Sequence, residues 1–281
     1  MQQRTETIDK QLPLPTMKYG LTTSLSLENF SLPQASVCCT PYAEKSPKEI
    51  MLQEIQEFWQ SPRGKAIYQI FKKQPANQIE DMQQQALHQG RAIIIPANAT
   101  PAAPILLEKQ CTTTIDADTM IIIAEKNSKA SIIEVMTSTE NCYLRTQRLH
   151  IILEENAELS YCSIQNLDKK TYNFISKTAN TARNAKIHWI DGCFGSLFTS
   201  STIHTTLTGE TSSMTADTMF FAQQEQQFDL AVEAQHVAQQ TLSDMRTKGV
   251  GKDKSKTLYR GNIKIEEHAK KSSGYQKEDT L

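Results

Sequence analysis

Residues 121–135 read IIIAEKNSKASIIEV, and residues 150–164 read HIILEENAELSYCSI. Each joins a run of strand-forming residues to a polar corner centred on asparagine, then to a second run in which apolar and polar residues alternate. TANTARNAKIHWIDG (178–192) and IKIEEHAKKSSGYQ (263–276) have the same build. The corner residues Asn127, Asn156 and Asn184 are separated by 29 and then 28 positions, and TLTGETSSMTADTMFF (206–221) puts another corner at Glu210, 26 further on. His268 lies 58 beyond that, two periods with a less obvious repeat between. A fixed period of this length with no helix inside it is the signature of a β-solenoid, in which successive rungs stack. Inward positions such as Ile121, Ile123, Ile151, Leu153, Ile187 and Trp189 are expected to form its continuous core. The rival architecture is an immunoglobulin-like sandwich, whose hairpins call for frequent glycine and Asn-Gly turns. The chain has only ten glycines. The expected fold is therefore mainly β, a right-handed parallel β-helix over 91–281 behind a small helical module.

The module reads from about 46 to 90. Ser46-Pro47-Lys48-Glu49 places an N-cap serine, a first-turn proline and a capping-box glutamate, and Leu52, Ile55, Phe58 and Trp59 follow at helical spacing. Ser61-Pro62 repeats the start signal ahead of Ile67, Ile70 and Phe71. Asn77 with Glu80 opens a third helix that Gly90 can close. Residues 1–45, with Pro13, Pro15, Pro33 and Pro41 among polar residues, read as an extended or disordered arm.

With 281 residues and a formal net charge of −1, nothing in the composition points to nucleic acid or an anionic membrane as partner. No apolar run is long enough to span a bilayer, and MQQRTETIDKQLPLP at the N-terminus has no apolar core of a secretory signal. Cys38, Cys39, Cys111, Cys142, Cys162 and Cys193 show no CxxC spacing, so reduced thiols in a cytoplasmic protein are expected. Cys38 and Cys39 read as a chance vicinal pair.

The chemistry-bearing residues are sparse. VGKDKSKTLYRGNIKI (250–265) holds a Gly251-Lys252 run, but a phosphate-binding loop needs a further glycine upstream and Ser or Thr after the lysine. Here Arg246 and Asp253 stand in those places, and the run reads as a turn into a strand. His88, His150, His188, His204, His236 and His268 show no metal-site spacing. His188 with Cys193 is the best candidate for convergence along a stacked face. No nucleophile elbow is present, so no catalytic residue and no metal site is assigned, and cofactor-binding residues stay unknown. Asp116 and Asp118 alternate on one strand face, as in a polysaccharide-cleaving β-helix, yet read as solvated outward carboxylates. Gly261 is expected to permit a strand bend, with Arg260 as a surface or cross-rung partner.

Lys248-Gly249-Val250, then Asp253-Lys254-Ser255, then Tyr259 to Ile265 resembles the signature of the SufB/SufD family of iron–sulfur cluster assembly proteins. Gly90 to Pro96 with Pro104 to Leu107 resembles that family's first rung, and Asn156 to Leu159 with Ser163 to Asn166 a later one. The resemblance covers about 90–281 and implies a non-enzymatic cytoplasmic scaffold. Its partners would be a SufB-type paralogue and a SufC-type ATPase, and an iron–sulfur cluster would be held transiently in the assembled complex. Lys177 to Ala182 has no cysteine where SufB-type members carry a sulfur-accepting one, so the chain looks closer to SufD. The sequence stops at Gly274 to Leu281, where the family continues with further rungs and ATPase-docking helices. The β-helix is thus expected to be incomplete at its C-terminal end, a fragment or a degenerate copy. The alternative reading is a β-helical carbohydrate-binding or carbohydrate-cleaving protein. It would rest on Asp116 and Asp118, with little help from the two tryptophans, Trp59 and Trp189.

Overall fold

From Gly90 onward the chain passes back and forth between two sheets, and each strand pairs with those one full turn before and after it. The computed structural model describes residues 12–16, 18–19, 23–25, 27–72 and 74–281. Ahead of the solenoid come strands β1 (Lys18–Tyr19), β2 (Thr23–Ser24), β3 (Val37–Cys38), β4 (Ala43–Lys45) and β5 (Met51–Glu54), then helices α1 (Ile55–Gln60), α2 (Pro62–Phe71) and α3 (Gln78–Gln85). The first sheet stacks β6 (Gly90–Ile95), β8 (Ile115–Ala124), β10 (Leu144–Leu153), β12 (Tyr172–Thr181), β14 (Phe198–Leu207), β16 (Gln227–His236) and β18 (Lys256–Ile265). The second stacks β7 (Ile105–Cys111), β9 (Lys129–Ser138), β11 (Glu158–Asn166), β13 (Lys186–Cys193), β15 (Ser213–Ala222), β17 (Leu242–Gly251) and β19 (Ser273–Thr280).

All pairing within these two stacks is parallel. Ile151 lies opposite Ile122, and the strand of His188 runs parallel to both its neighbours in the second sheet. This is the stacked-rung pairing expected from the period, without hairpins in the solenoid. Among the described residues, antiparallel pairs are confined to β1–β2, β4–β7 and β5–β6.

The corners explain the period. Asn127, Asn156 and Asn184 sit at φ of 59°, 59° and 56°, and Asn98 precedes them at 63°. Asparagine tolerates this left-handed region better than other residues with a side chain. The amides also form a ladder. Asn127 Nδ2 donates to Asn98 Oδ1 (3.0 Å), Asn156 Nδ2 to Asn127 Oδ1 (2.8 Å) and Asn184 Nδ2 to Asn156 Oδ1 (2.9 Å). Further along, the same conformation falls to Thr211, Gln240 and Lys271, so the corner expected at Glu210 lies next to the true one, whereas the one expected at His268 falls short of Lys271 within the same turn. With no asparagine left to mark it, the turn cannot be placed to the residue. Ser196, Gln224 and Asp253 take left-handed φ at the opposite edge.

Ile151, Leu153, Ile187 and Trp189 join the interior as expected, with Ile93, Ile95, Met120, Ile122 and Leu149. Ile121 and Ile123 do not. They face outward and are buried against Ile55, Phe58, Trp59, Ile67 and Phe71 of the helices. Strand β8 is covered on both faces, so its apolar run carries no alternation from which inward positions can be read.

Cap chemistry placed two of the three helices. Ser61 Oγ accepts from Gly64 N (2.9 Å) with Pro62 next in the chain, and Asn77 Oδ1 accepts from Glu80 N (3.0 Å). The start signal at Ser46-Pro47 goes unused. Met51–Glu54 instead pairs with the free edge of β6, and α1 begins only at Ile55. Gly90 does not close α3 either. It opens the first rung at φ 126°, where an added Cβ would lie 2.0 Å from the Thr119 carbonyl oxygen. Arg63 of α2 bridges Glu125 (3.0 Å) and Glu154 (2.7 Å), tying the module to two successive corners. Within the arm, β3 pairs with β8, β4 pairs with β7, and Leu25, Phe30 and Tyr42 are buried. Residues 1–11 of the arm lie outside the described residues.

Two predictions follow from these contacts. Asn156→Ala removes two ladder bonds and leaves a Cβ-bearing residue at positive φ, so it should cost roughly 1–2 kcal/mol. Asn156→Gly, which keeps the conformation accessible, should cost less, as chemical denaturation would read. His150 packs edge-on against Phe71 (5.4 Å), and burial pushes its pKa down to about 4. Between the unfolded value near 6.5 and the folded value near 4, only the unfolded state takes up the proton. Stability should therefore fall as pH drops through that window, by roughly 3 kcal/mol from this residue. Melting temperature measured from pH 7 to pH 4 should fall less steeply in His150→Leu.

A buried polar column as candidate functional site

The solenoid interior divides lengthwise. Along the asparagine corners it is filled by Ile, Leu and Ala, whereas toward the opposite edge the inward positions carry charge. Strand β8 turns Asp116 and Asp118 inward, β10 turns Arg145 and Gln147, β7 turns Lys109 and β9 turns Glu134, all essentially inaccessible to solvent. Lys109 Nζ lies 2.6 Å from Asp116 Oδ1 and 2.7 Å from Asp118 Oδ1. Gln147 Nε2 donates to Asp118 Oδ2 (3.1 Å) and Glu134 Oε1 (2.8 Å), and Tyr161 OH donates to Glu134 Oε2 (2.5 Å). Tyr42, from the arm, inserts its hydroxyl between Asp118 (3.1 Å) and Glu134 (2.8 Å). Thr40 N donates to Asp116 Oδ2 (2.9 Å).

Burial alone would raise the Asp118 carboxyl, but Lys109 and Arg145 more than reverse it, and its pKa is lowered. Burial likewise works against the charge on Lys109 and Arg145. The neighbouring carboxylates outweigh it and push both pKa values up. Arg145 Nη1 donates to Asn173 Oδ1 (3.2 Å).

Two turns along, Lys177 Nζ meets Asp191 Oδ1 (2.5 Å) and Ser163 Oγ (3.1 Å). Gln165 Nε2 donates to Thr199 Oγ1 (3.0 Å) and Cys193 Sγ (3.2 Å). The arrangement can hold polar groups and protons in a dry interior. Four of the chain's six thiols are disfavoured as thiolates. Burial pushes Cys39 up to about 12 and raises Cys162 and Cys193, while Cys111 is raised first by its hydrogen bond with Cys142 and then by burial.

The residues singled out from the sequence fare unevenly. His188 and Cys193 are not brought together. His188 faces outward, with Nε2 2.7 Å from Asp217 Oδ2, while Cys193 is buried on the inner side of the same strand. Asp116 and Asp118 are not solvated outward carboxylates but members of the buried cluster, which removes the residues on which a carbohydrate-cleaving reading rested. Cys39 lies 3.8 Å from Lys109 Nζ, at the margin of that cluster. Gly251 ends β17, and Lys252 N donates to the Ala222 carbonyl (2.8 Å) with Asp253 at φ 61°. The glycine-lysine run is thus a corner leading into β18. Arg260 reaches Asp229 of the previous rung (2.6 Å). Gly261 makes room rather than a bend, since an added Cβ would sit 2.5 Å from Gln276 Oε1. Among the described residues no group of three or more His, Cys, Asp or Glu could hold a metal ion, and no helix is long and apolar enough to cross a membrane.

Residues 107–281 match the family model described as SUF system FeS cluster assembly, SufBD core domain. The chain belongs to the SufBD family. It is 29% identical over 163 residues to an iron–sulfur cluster assembly SufBD family protein of Mycobacterium leprae, covering 57% of this chain and 19% of that protein. It is 26% identical over 200 residues to a SufBD family protein of Staphylococcus epidermidis, covering 68% of this chain and 42% of the relative. The SufBD chain thus spans less than half the length of these curated relatives. The matched region contains β8 to β19 and hence Asp116, Asp118, Glu134, Arg145, Gln147, Tyr161, Lys177 and Asp191, as well as Lys109 at the end of β7.

The cluster has a measurable energetic signature. Lys109→Met leaves two buried carboxylates without their cation and should destabilise the SufBD chain by roughly 3–5 kcal/mol. Adding Asp116→Asn and Asp118→Asn should recover part of that loss in urea denaturation. A simple sum of the three costs would show that the groups are not coupled.

Proposed function

We propose that this SufBD chain acts as a SufD-like scaffold subunit in iron–sulfur cluster assembly. It would pair with a SufB-type paralogue and a SufC-type ATPase, carry the cluster as cargo and catalyse no turnover of its own. Family membership supports the assembly role. The observation that favours the SufD-like side is the lack of a cysteine on β12, and the state of four of the six thiols agrees with it. A sulfur-accepting cysteine works as a thiolate, and Cys39, Cys111, Cys162 and Cys193 all have raised pKa values. On β12, in the stretch where a SufB-type acceptor is expected, the inward side chains are Lys177, Ala179 and Thr181. Lys177 is committed to Asp191.

Co-expression with the SufB-type and SufC-type proteins of the same genome tests the assignment. The three should co-elute in size-exclusion chromatography, and the isolated chain should neither hydrolyse ATP nor take persulfide sulfur from a cysteine desulfurase. Rapid persulfide transfer onto one of its own cysteines would make it a sulfur acceptor instead. ATP hydrolysis abolished by Lys252→Ala would overturn the non-enzymatic reading.

A further inference from the structure

The first rung carries extra chain where it enters the second sheet. From Asn98 to Ile105 is seven positions, whereas from Asn127 to Ile132, the register partner of Ile105, is five. The two additional residues, together with Pro101 and Pro104, make residues 100–104 one wall of a groove of about 770 Å³ over the outer face of that sheet. Its floor is a polar column, Ser131, Ser160, His188 and Thr215, register partners in turn on β9, β11, β13 and β15. Beside it Glu158 lies between Lys129 and Lys186, which are its register partners on either side. Lys186 Nζ is 3.0 Å from Glu158 Oε1, and Lys129 Nζ is 3.1 Å from Oε2.

We propose that this groove takes an extended acidic peptide segment of a partner protein, with acidic residues at alternate positions. The chemistry of the lining is that of a donor. An ammonium group has three N–H donors, so each lysine keeps two after its bond to Glu158. The carboxylates at the site are already engaged, Glu158 by both lysines and Asp217 by His188 at 2.7 Å. Two lysines against one glutamate leave the lining one charge positive. The backbone N–H groups of Thr100, Ala102 and Ala103 donate to no backbone acceptor among the described residues. With the floor hydroxyls they suit the carbonyls of an extended main chain. The dimensions agree. Four strands at a spacing of about 4.8 Å make the floor ~14 Å long, the reach of roughly four to five extended residues. The strands of Lys129 and Lys186 are about 9.6 Å apart, and both ammonium groups lean to the carboxylate between them, towards the ~6.8 Å that separates alternate side chains of an extended segment. A lone inorganic anion would leave most of the groove to water. The inference goes beyond the scaffold assignment and does not depend on it.

Amide chemical-shift titration of the full chain with a capped penta-glutamate peptide tests it. Shifts should gather at Ala102, Ala103, Ser160 and His188 and should saturate. Penta-glutamine, which has the length without the charge, and inorganic phosphate, which has charge without length, should each bind at least about tenfold more weakly. Lys129→Ala with Lys186→Ala should weaken peptide binding by at least about tenfold. Lys126→Ala with Arg183→Ala, which strips the neighbouring ladder from Glu155, should change it by less than about twofold, because charges outside the groove are screened. All four side chains are more than half exposed, so thermal unfolding should be nearly unchanged and confirms that the variants fold. Absence of saturable shifts overturns the proposal. So do shifts away from the groove, equal losses in the two double variants, or phosphate binding as tightly as the peptide. Self-association that fills the groove and disappears in the Lys129→Ala, Lys186→Ala variant overturns it as well, since the occupant is then a second copy of the chain.

Discussion

In a stack of parallel strands in register, each inward side chain sits directly above and below another. A charge placed inside one rung must therefore be answered in the same rung or the next. Asp116 lies opposite Arg145, Arg145 opposite Asn173, and Asp118 opposite Gln147. Lys109 reaches both aspartates from the other sheet. The apolar half of the interior does not impose this demand. A two-residue slip along the strand would exchange one Ile or Leu for another at little cost, because side chains i and i+2 share a face. The same slip would set Arg145 against a different partner and leave a buried carboxylate without its cation. Register is thus held by the polar half of the column, while the apolar half supplies most of the burial.

The arm is part of that column. The hydroxyl of Tyr42 and the backbone N–H of Thr40 supply donors to Asp118, Glu134 and Asp116, and without them those buried oxygens would lose hydrogen bonds they cannot regain from water. The contacts join residues 76 and 92 positions apart. Each such contact closes a long loop, and the hydrogen bonds and burial it gains must offset that loop's closure entropy. Helix α2 adds a second tie from outside, through Arg63 to the corners at Glu125 and Glu154.

What could be read from the sequence follows the same division between local and non-local causes. The period was visible because asparagine marks a left-handed corner by its own conformational preference, and it faded where Thr211, Gln240 and Lys271 adopt that conformation against theirs. The starts of α2 and α3 were visible because a cap is settled within four residues. Ser46-Pro47 carries the same local signal and was overridden by the free edge of β6, which nothing nearby in the sequence announces. The buried cluster was missed through a single error of parity. The run from Met120 to Ile123 shows no alternation, and taking Ile121 and Ile123 as inward turned Asp116 and Asp118 outward with them. Both follow once β8 is known to be covered on both faces.

The outer faces show that surface composition here is set position by position and is not a by-product of strand propensity. Where the first sheet leaves the shelter of the helices, its outward residues change to Ser176, Thr178, Thr202 and Thr206, side chains that keep β propensity while remaining compatible with water. The second sheet makes the same concession at Ser131, Ser160 and Thr215. Along the next two columns it does not, and Ile133, Val135, Ile164, Ile190 and Met219 stand where threonine would have served the strand equally well. Hydroxyl-bearing residues are thus available to this chain for a bare sheet and are used on both sides of the solenoid. Their absence from one stripe is a local departure from the chain's own rule, and nothing in the pairing of the strands themselves requires it.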